Sequence, residues 1–222
     1  MEGRAMIIVF DLDGTLIDSA PDICAAGNTV LAAEGATPMS LAEATGFIGG
    51  GAPLLIERMI AARGLETERH DAMLSRFLEL YDDAVHLTQL FPGVEACLEK
   101  LAWDGHALGI CTNKPESPAR AVLDHFGLLP RFGTILGGDT LKVKKPDPVP
   151  LTTCIAALGG GRALYVGDSE VDAETAERAG VPFALFTRGY RNTPVDALPH
   201  AHAFDDFADL PGVIATYRGV PS

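Results

Sequence analysis

The sequence predicts an α/β fold, a doubly wound parallel sheet interrupted after its first strand by a helical insert. Three observations carry that expectation. Met6-Ile7-Ile8-Val9-Phe10 is an apolar run with β-branched members, which reads as a strand covered on both faces. From Phe91-Pro92-Gly93 onward, short apolar runs alternate with helical stretches, the pattern of repeated strand-helix units. Between these, residues 17–87 carry helical signals and no strand signal.

The elements follow in order. The first strand stops in two aspartates one residue apart, Asp11 and Asp13, and then Gly14-Thr15. Ser19-Ala20-Pro21-Asp22 starts a helix, with Pro in the first turn and an acid beside the helix's positive end. It runs to about Glu34 and ends at Gly35. Ser40-Leu41-Ala42-Glu43 is a capping box that opens a short second helix. Gly49-Gly50-Gly51 breaks the pattern, and Pro53 starts a third helix that ends at Gly64. A fourth spans roughly Thr67 to Val85. Its Met73, Leu74, Phe77, Leu78 and Tyr81 recur at three- and four-residue spacing, which makes that stripe core and not a cofactor site.

After Pro92-Gly93 the expected elements are a helix from Val94 to Asp104, a strand from Ala107 to Cys111 and a helix from Pro118 to Phe126. A short strand from Thr134 to Leu136, a helix from Pro148 to Leu158 and a strand from Ala163 to Val166 follow. A helix from about Val171 to Ala179, a strand from Phe183 to Phe186, a weak strand near Ala203-Phe204 and a last helix from Leu210 to Tyr217 complete the chain. An insert placed right after the first strand overhangs the C-terminal ends of the strands, as a lid over the Asp11 loop. The expected division is a core of residues 1–16 and 88–222 and a lid of residues 17–87.

Composition bounds the function. The 222 residues suit one large domain or a core with a small insert. A net charge of −13 argues against nucleic acid and anionic membrane as partners, because both need clustered basic residues. No apolar run approaches the roughly 20 residues of a membrane span, and Met1–Ala5 is not followed by the apolar segment of a signal peptide. Cys24, Cys97, Cys111 and Cys154 form no CxxC pair, so neither a zinc site nor a disulfide framework is expected, and a reducing, cytoplasmic setting follows. Cys111 reads as a packed thiol. Four of the five lysines are Lys114, Lys142, Lys144 and Lys145, which concentrates positive charge in two loops of an acidic chain. For Lys142 and Lys144 a solvated charge run suffices.

Asp is poor in strands and costly to bury as a charge, so Asp11 and Asp13 sit just past the strand's end, where ligands bind in open α/β sheets. An Asp-Gly turn would explain Asp13-Gly14 but not Asp11. Crowded carboxylates repel unless a cation joins them, and oxygen ligands of this kind suit Mg²⁺. Three further loops carry polar residues at strand ends: Thr112-Asn113-Lys114, Lys144-Lys145-Pro146-Asp147-Pro148, and Gly167-Asp168-Ser169 with Asp172. Singly, each has a plain alternative. Thr112-Asn113 is equally a turn or helix entry, Lys145 an exposed loop lysine, Asp168 an N-cap and Asp172 a first-turn acid. Asp139, beside Gly137-Gly138, reads as a turn residue. In a parallel sheet, however, all four loops share one edge. Carboxylates, a hydroxyl, an amide and a lysine around one point are what phosphoryl transfer through an aspartyl intermediate needs.

Asp11-Leu12-Asp13-Gly14-Thr15 resembles the DxDGT signature of the haloacid dehalogenase-like superfamily. Thr112, Lys145 before Pro146, and Gly167-Asp168 with Asp172 are similar to its later motifs, in the same order. The helical insert resembles the four-helix cap of phosphoglycolate phosphatases and close relatives, as do Gly137-Gly138-Asp139 and Lys145-Pro146-Asp147-Pro148-Val149-Pro150. The resemblance implies a Rossmann-like core with an inserted four-helix cap domain. It implies Asp11 as nucleophile and Mg²⁺ ligand, and Asp13 as general acid/base with its backbone carbonyl on Mg²⁺. It further implies that Thr112 and the Asn113 backbone hold the phosphoryl group and that Lys145 neutralises Asp11 and a phosphoryl oxygen. Asp168 completes the metal site, with Asp172 supporting it or Lys145. Gly49-Gly50-Gly51 looks like the cap loop that closes on the leaving group, with a plain interhelix linker as its alternative. Lys114 faces either a substrate carboxylate or solvent.

The leading expectation is a Mg²⁺-dependent phosphatase acting on a small phosphorylated metabolite, with 2-phosphoglycolate the best candidate. A β-phosphoglucomutase-like sugar-phosphate mutase uses the same scaffold and stays open. A dehalogenase is disfavoured by Asp13. A phosphorylatable signalling receiver carries its Asp at a later strand and lacks a large helical insert, and a non-catalytic phosphate-binding protein would not need both Asp11 and Asp13.

Overall fold

The computed structural model describes residues 5–82 and 84–217. Strands β1 (Ile7–Phe10), β4 (Ala107–Cys111), β5 (Thr134–Leu136), β6 (Ala163–Gly167), β7 (Phe183–Phe186) and β8 (His202–Phe204) form one sheet in the order β5-β4-β1-β6-β7-β8. Every pairing in it is parallel. β1 lies between β4 and β6, with Ile8 opposite Leu108 on one side and Leu164 on the other. The strand order reverses at β1, so the crevice beyond its C-terminal end is where an open α/β sheet binds ligands.

Both faces of the sheet are covered because successive strand residues point to opposite sides. Ile8 and Phe10 pack with α5 (Val94–Trp103), α6 (Glu116–His125) and α9 (Leu210–Tyr217). Ile7 and Val9 pack with α7 (Val149–Ala157) and α8 (Glu170–Ala179). The expectation of a doubly wound parallel sheet is met, including the weak last strand.

The insert holds α1 (Ala20–Ala33), α2 (Leu41–Phe47), α3 (Ala52–Arg63) and α4 (His70–Tyr81), and these four helices share a hydrophobic cluster of their own. The Ser40–Glu43 capping box forms as expected, with Ser40 Oγ accepting from Glu43 N at 3.2 Å and Glu43 Oε2 accepting from Ser40 N at 2.9 Å. α4 is shorter than the expected span from Thr67 to Val85, since Thr67–Arg69 is a 3₁₀ turn and the α-helix closes at Tyr81.

The stretch 17–87 is not wholly helical. Ile17–Asp18 (β2) pairs antiparallel with Gln89–Leu90 (β3), so the chain leaves and re-enters the core through a two-stranded ribbon. Two residues are too few to show a period, and their partners lie some seventy positions away, so no local signal marks them. Asp22 was expected to serve the positive end of α1. It does lie in the first turn of α1, and its Oδ2 also accepts from Leu87 N (3.0 Å), Thr88 N (2.7 Å) and Thr88 Oγ1 (2.6 Å). Asp22→Ala is expected to cost about 2–3 kcal/mol in urea unfolding, because a buried carboxylate gathers three donors there. Amide exchange at Leu87 and Thr88 should lose protection in the same variant.

Candidate active site

The loops after β1, β4, β5 and β6 converge beyond the sheet, as the shared edge requires. Asp11 follows β1 directly and is tied to the sheet by its N–H to Val166 O at 2.8 Å. Lys145, joined to Pro146 by a cis peptide bond, reaches in from the loop before α7. Its buried ammonium lies 2.6 Å from Asp172 Oδ1, 2.9 Å from the Tyr165 hydroxyl and 2.9 Å from Asp11 Oδ1. The contact with Asp11 is a buried ion pair, and Asp11 Oδ1 has no donor besides this ammonium.

Asp172 and Asp168 have different surroundings. Asp172 is fully buried, and both its oxygens are taken: Oδ1 by Lys145 and Tyr165, Oδ2 by Asp168 N, Ser169 N and Ser169 Oγ. Ser169, not Asp168, is the N-cap of α8, and Asp172 completes its capping box. Asp168 is thereby free of the capping role. Its Oδ1 accepts from Thr15 Oγ1 at 2.7 Å and its Oδ2 from Tyr190 N at 2.6 Å. The backbone must come close here. A Cβ at Gly14, which also has φ of 85°, would sit 2.5 Å from Asp168 Oδ2, and one at Gly189 would sit 2.2 Å from the same atom.

The electrostatics follow from this crowding. Burial raises the pKa of Asp11 to about 7, helped by Asp172 and opposed by Lys145. Burial, then Asp172 and Asp11, also raises Asp168. For Asp172 burial works in the same direction, but Lys145 and its hydrogen bonds outweigh it and hold the carboxyl below its ordinary value. Burial opposes the charge on Lys145, yet Asp11 and Asp172 together keep its pKa above the usual lysine range. Oxygens of Asp11, Asp168 and Asp172 lie within 4.8 Å of one another. Asp172 is saturated by hydrogen bonds, whereas Asp11 Oδ1 has only the Lys145 ammonium against it. The cluster fits a hard divalent cation beside Asp11 and Asp168, a set of oxygen donors and no sulfur or imidazole.

The remaining residues line a cavity of about 40 Å³ between the strand ends and the insert, room for about three waters. Asp11, Asp13, Thr112, Asn113 and Lys114 face it from the core. Thr112 Oγ1 accepts from Lys114 N at 3.2 Å, which leaves the hydroxyl proton for another acceptor. Asn113 Nδ2 donates to Gly49 O and to Lys145 O, both at 3.1 Å, so this side chain joins the insert to the Lys145 loop. Asp13 Oδ1 accepts from Ser19 Oγ at 2.6 Å and lies 3.2 Å from Lys114 Nζ.

Several expectations change. Gly49 and Gly51 do line the cavity, and Gly50 O accepts from Lys144 Nζ at 2.9 Å, so Lys144 fastens the insert instead of serving only as solvated charge. Lys114 is buried, not solvent-facing. Phe77 and Tyr81 belong to the core stripe of α4 but also line the cavity, because a helix closing over a pocket has a face shared by both. Asp139 Oδ1 accepts from Glu116 N at 2.8 Å at the start of α6, in keeping with a turn role. Burial pushes the Cys111 thiol up to about 12, as suits a packed thiol. Sequence reasoning missed Tyr165, Tyr81, Tyr190, Thr15 and Ser19. Tyr165 gave one signal, a phenol inside an apolar strand that needs a hydrogen-bond partner.

A family model described as haloacid dehalogenase-like hydrolase matches residues 8–186, most of the chain. This chain belongs to that family. Among relatives of this hydrolase is a phosphoglycolate phosphatase of Cereibacter sphaeroides (strain ATCC 17025 / ATH 2.4.3), 53% identical over 210 residues and covering 93% of this chain and 96% of that protein. Another is the phosphoglycolate phosphatase of Rhodobacter capsulatus, 44% identical over 212 residues, 95% of this chain and 97% of that one. A crystal structure of a predicted phosphoglycolate phosphatase from Haemophilus somnus 129PT superposes with a TM-score of 0.89 at 31% identity, covering 94% of this hydrolase and 97% of that chain.

The raised Asp11 predicts a pH dependence for the hydrolase freed of metal by a chelator. A carboxyl with a higher pKa folded than unfolded contributes stability below its unfolded value, about 4, and loses it as pH rises through 7. Asp11→Asn is therefore expected to exceed the unsubstituted protein in stability by about 2–4 kcal/mol at pH 8, with the difference closing toward pH 4. Urea titrations across that range measure it.

Proposed function

We propose that this phosphatase hydrolyses a small phosphate monoester, 2-phosphoglycolate, through an aspartyl-phosphate on Asp11 with Mg²⁺ as cofactor. The observation that carries the reading is Asp11 itself: a carboxylate lining the cavity at the end of the central strand, with the Lys145 ammonium 2.9 Å from its Oδ1. Its relatives named phosphoglycolate phosphatase support the choice of substrate, and the small cavity supports a small leaving group.

In this reading an Asp11 oxygen attacks phosphorus and the bond to the ester oxygen breaks. Asp13 gives its proton to the departing alkoxide, which leaves as the alcohol. Asp13, now a carboxylate, takes a proton from water as the water attacks the acyl phosphate, releasing inorganic phosphate and restoring Asp11. Thr112 Oγ1 and the Asn113 backbone hold phosphoryl oxygens, and Lys145 balances the charge of Asp11 and the phosphoryl group. Asp11, Asp168 and the Asp13 backbone carbonyl would hold Mg²⁺, which supplies charge neutralisation between nucleophile and phosphate. Asp172 holds Lys145 in place.

Residues 17–87 act as the cap, and residues 1–16 with 88–222 as the catalytic core, although residues 1–4, 83 and 218–222 lie outside the described structure. Gly49-Gly50-Gly51 closes the cavity over the leaving group. Among the described residues no helix is long and apolar enough to cross a membrane, and we place the enzyme in the cytoplasm. The acidic balance favours a metabolite over a nucleic acid as its partner.

A phosphate-release screen over small phosphate esters with Mg²⁺ tests the reading. 2-Phosphoglycolate should give the highest kcat/KM, and a flat, weak profile would sink that substrate. Asp11→Asn should lower turnover by at least about 10⁴-fold, since no other group attacks phosphorus, and wild-type rates in this variant would exclude the covalent route. Chelation of divalent cations should abolish release, and Mg²⁺ should restore it.

A further inference from the structure

Lys114 has no part in the reaction described above, yet it is one of five lysines in the chain and is only 5% exposed. Its ammonium lies 3.2 Å from Asp13 Oδ1, makes a short hydrogen bond to the Tyr81 hydroxyl and sits 4.0 Å from the centre of the Tyr81 ring. An ammonium has three N–H donors, and these acceptors account for two. Among the described residues that line the cavity, Lys114 is the one cation, and much of the facing wall, with Ile48, Leu55 and Phe77, is apolar.

The two buried lysines differ in what they face. Lys145 stands between Asp11 and Asp172, whose charges account for it. Lys114 touches one carboxylate, that of Asp13, with the charges of Asp22 and Asp11 acting from farther off, and the rest of its head lies against Tyr81 and the cavity. In the proposed reaction Asp13 stands at the leaving oxygen. Lys114 Nζ is 3.2 Å from that carboxylate, so whatever the leaving oxygen is attached to comes within reach of the ammonium.

We propose that Lys114, seated by Tyr81, is a specificity-determining residue that receives an anionic group, a carboxylate beside the ester carbon, on the leaving portion of the substrate. The inference rests on the phosphatase reading. Tyr81 comes from α4 in the insert and Lys114 from the loop after β4, so the carboxylate site is complete only with the insert seated on the core. The competing role is a plain counter-ion for Asp13, which would serve any phosphate ester alike.

Steady-state kinetics with 2-phosphoglycolate and its neutral amide, carbamoylmethyl phosphate, separate the two. The unsubstituted enzyme is expected to favour the acid by on the order of a hundredfold in kcat/KM, carried mainly by KM, as a charge-assisted contact requires. In Lys114→Met that ratio should collapse toward one, and in Tyr81→Phe it should fall part of the way. A ratio that persists in Lys114→Met overturns the proposal, as does equal use of acid and amide by the unsubstituted enzyme, a result independent of how the variants fold. Release of phosphate from no ester at all would overturn the phosphatase reading and this inference with it, whereas hydrolysis without discrimination overturns this inference alone.

Discussion

Three buried carboxylates, Asp11, Asp168 and Asp172, are gathered within 4.8 Å at the end of the central strand. Like charges in a low-dielectric interior are costly, so something must offset each one. Lys145 offsets two of them, and six donated hydrogen bonds fix Asp172 and Asp168 in different roles. Asp11 is the least compensated of the three by hydrogen bonds: Lys145 opposes the shift, but burial still pushes its carboxyl up to about 7. Such a group persists only because the surrounding sheet and loops hold it in place.

That constraint explains much of the surrounding architecture. Tyr165 spends its hydroxyl inside an otherwise apolar strand to receive Lys145. Glycines stand at positions 14 and 189 because Asp168 leaves no room for a Cβ. Tyr190 donates its N–H to Asp168 while its hydroxyl donates to Asp18 and accepts from Ala20 N, so the acidic cluster and the ribbon leading to the insert share one residue. The insert in turn is fastened at the cavity rim through Asn113–Gly49 and Lys144–Gly50. Charge balance at the floor and closure at the roof are thus mechanically connected.

The legibility of the site was uneven for physical reasons. Asp11, Asp13, Thr112 and Asp168 were visible because each ends or follows an apolar strand, where a polar residue is out of place, and Lys145 became visible only through its place in the order of loops. Their order along the chain places them on one edge of a parallel sheet. Tyr81 was hidden because it continues the apolar stripe of α4, and a residue that serves both core and cavity keeps the period of the core. Tyr190 was hidden because it acts on a residue in another loop, and Ser19 because its place at the start of α1 already accounted for it. Lys144 read as solvated charge because its partner is a backbone carbonyl of the insert.

By itself the sequence determined the fold class, the position of the helical insert and the set of residues at the sheet edge. These follow from periodicity and from the cost of burying charge, both of which are local. Only the tertiary structure decided that hydrogen bonds saturate Asp172 while an ion pair alone holds Asp11 Oδ1, that Ser169 and not Asp168 caps α8, and that Lys114 is buried in the cavity. Those depend on distances between residues far apart in the chain, such as Lys114 and Tyr81 or Asp22 and Thr88. Hydrogen bonding and burial are properties of the packed neighbourhood, and a linear pattern carries no measure of it.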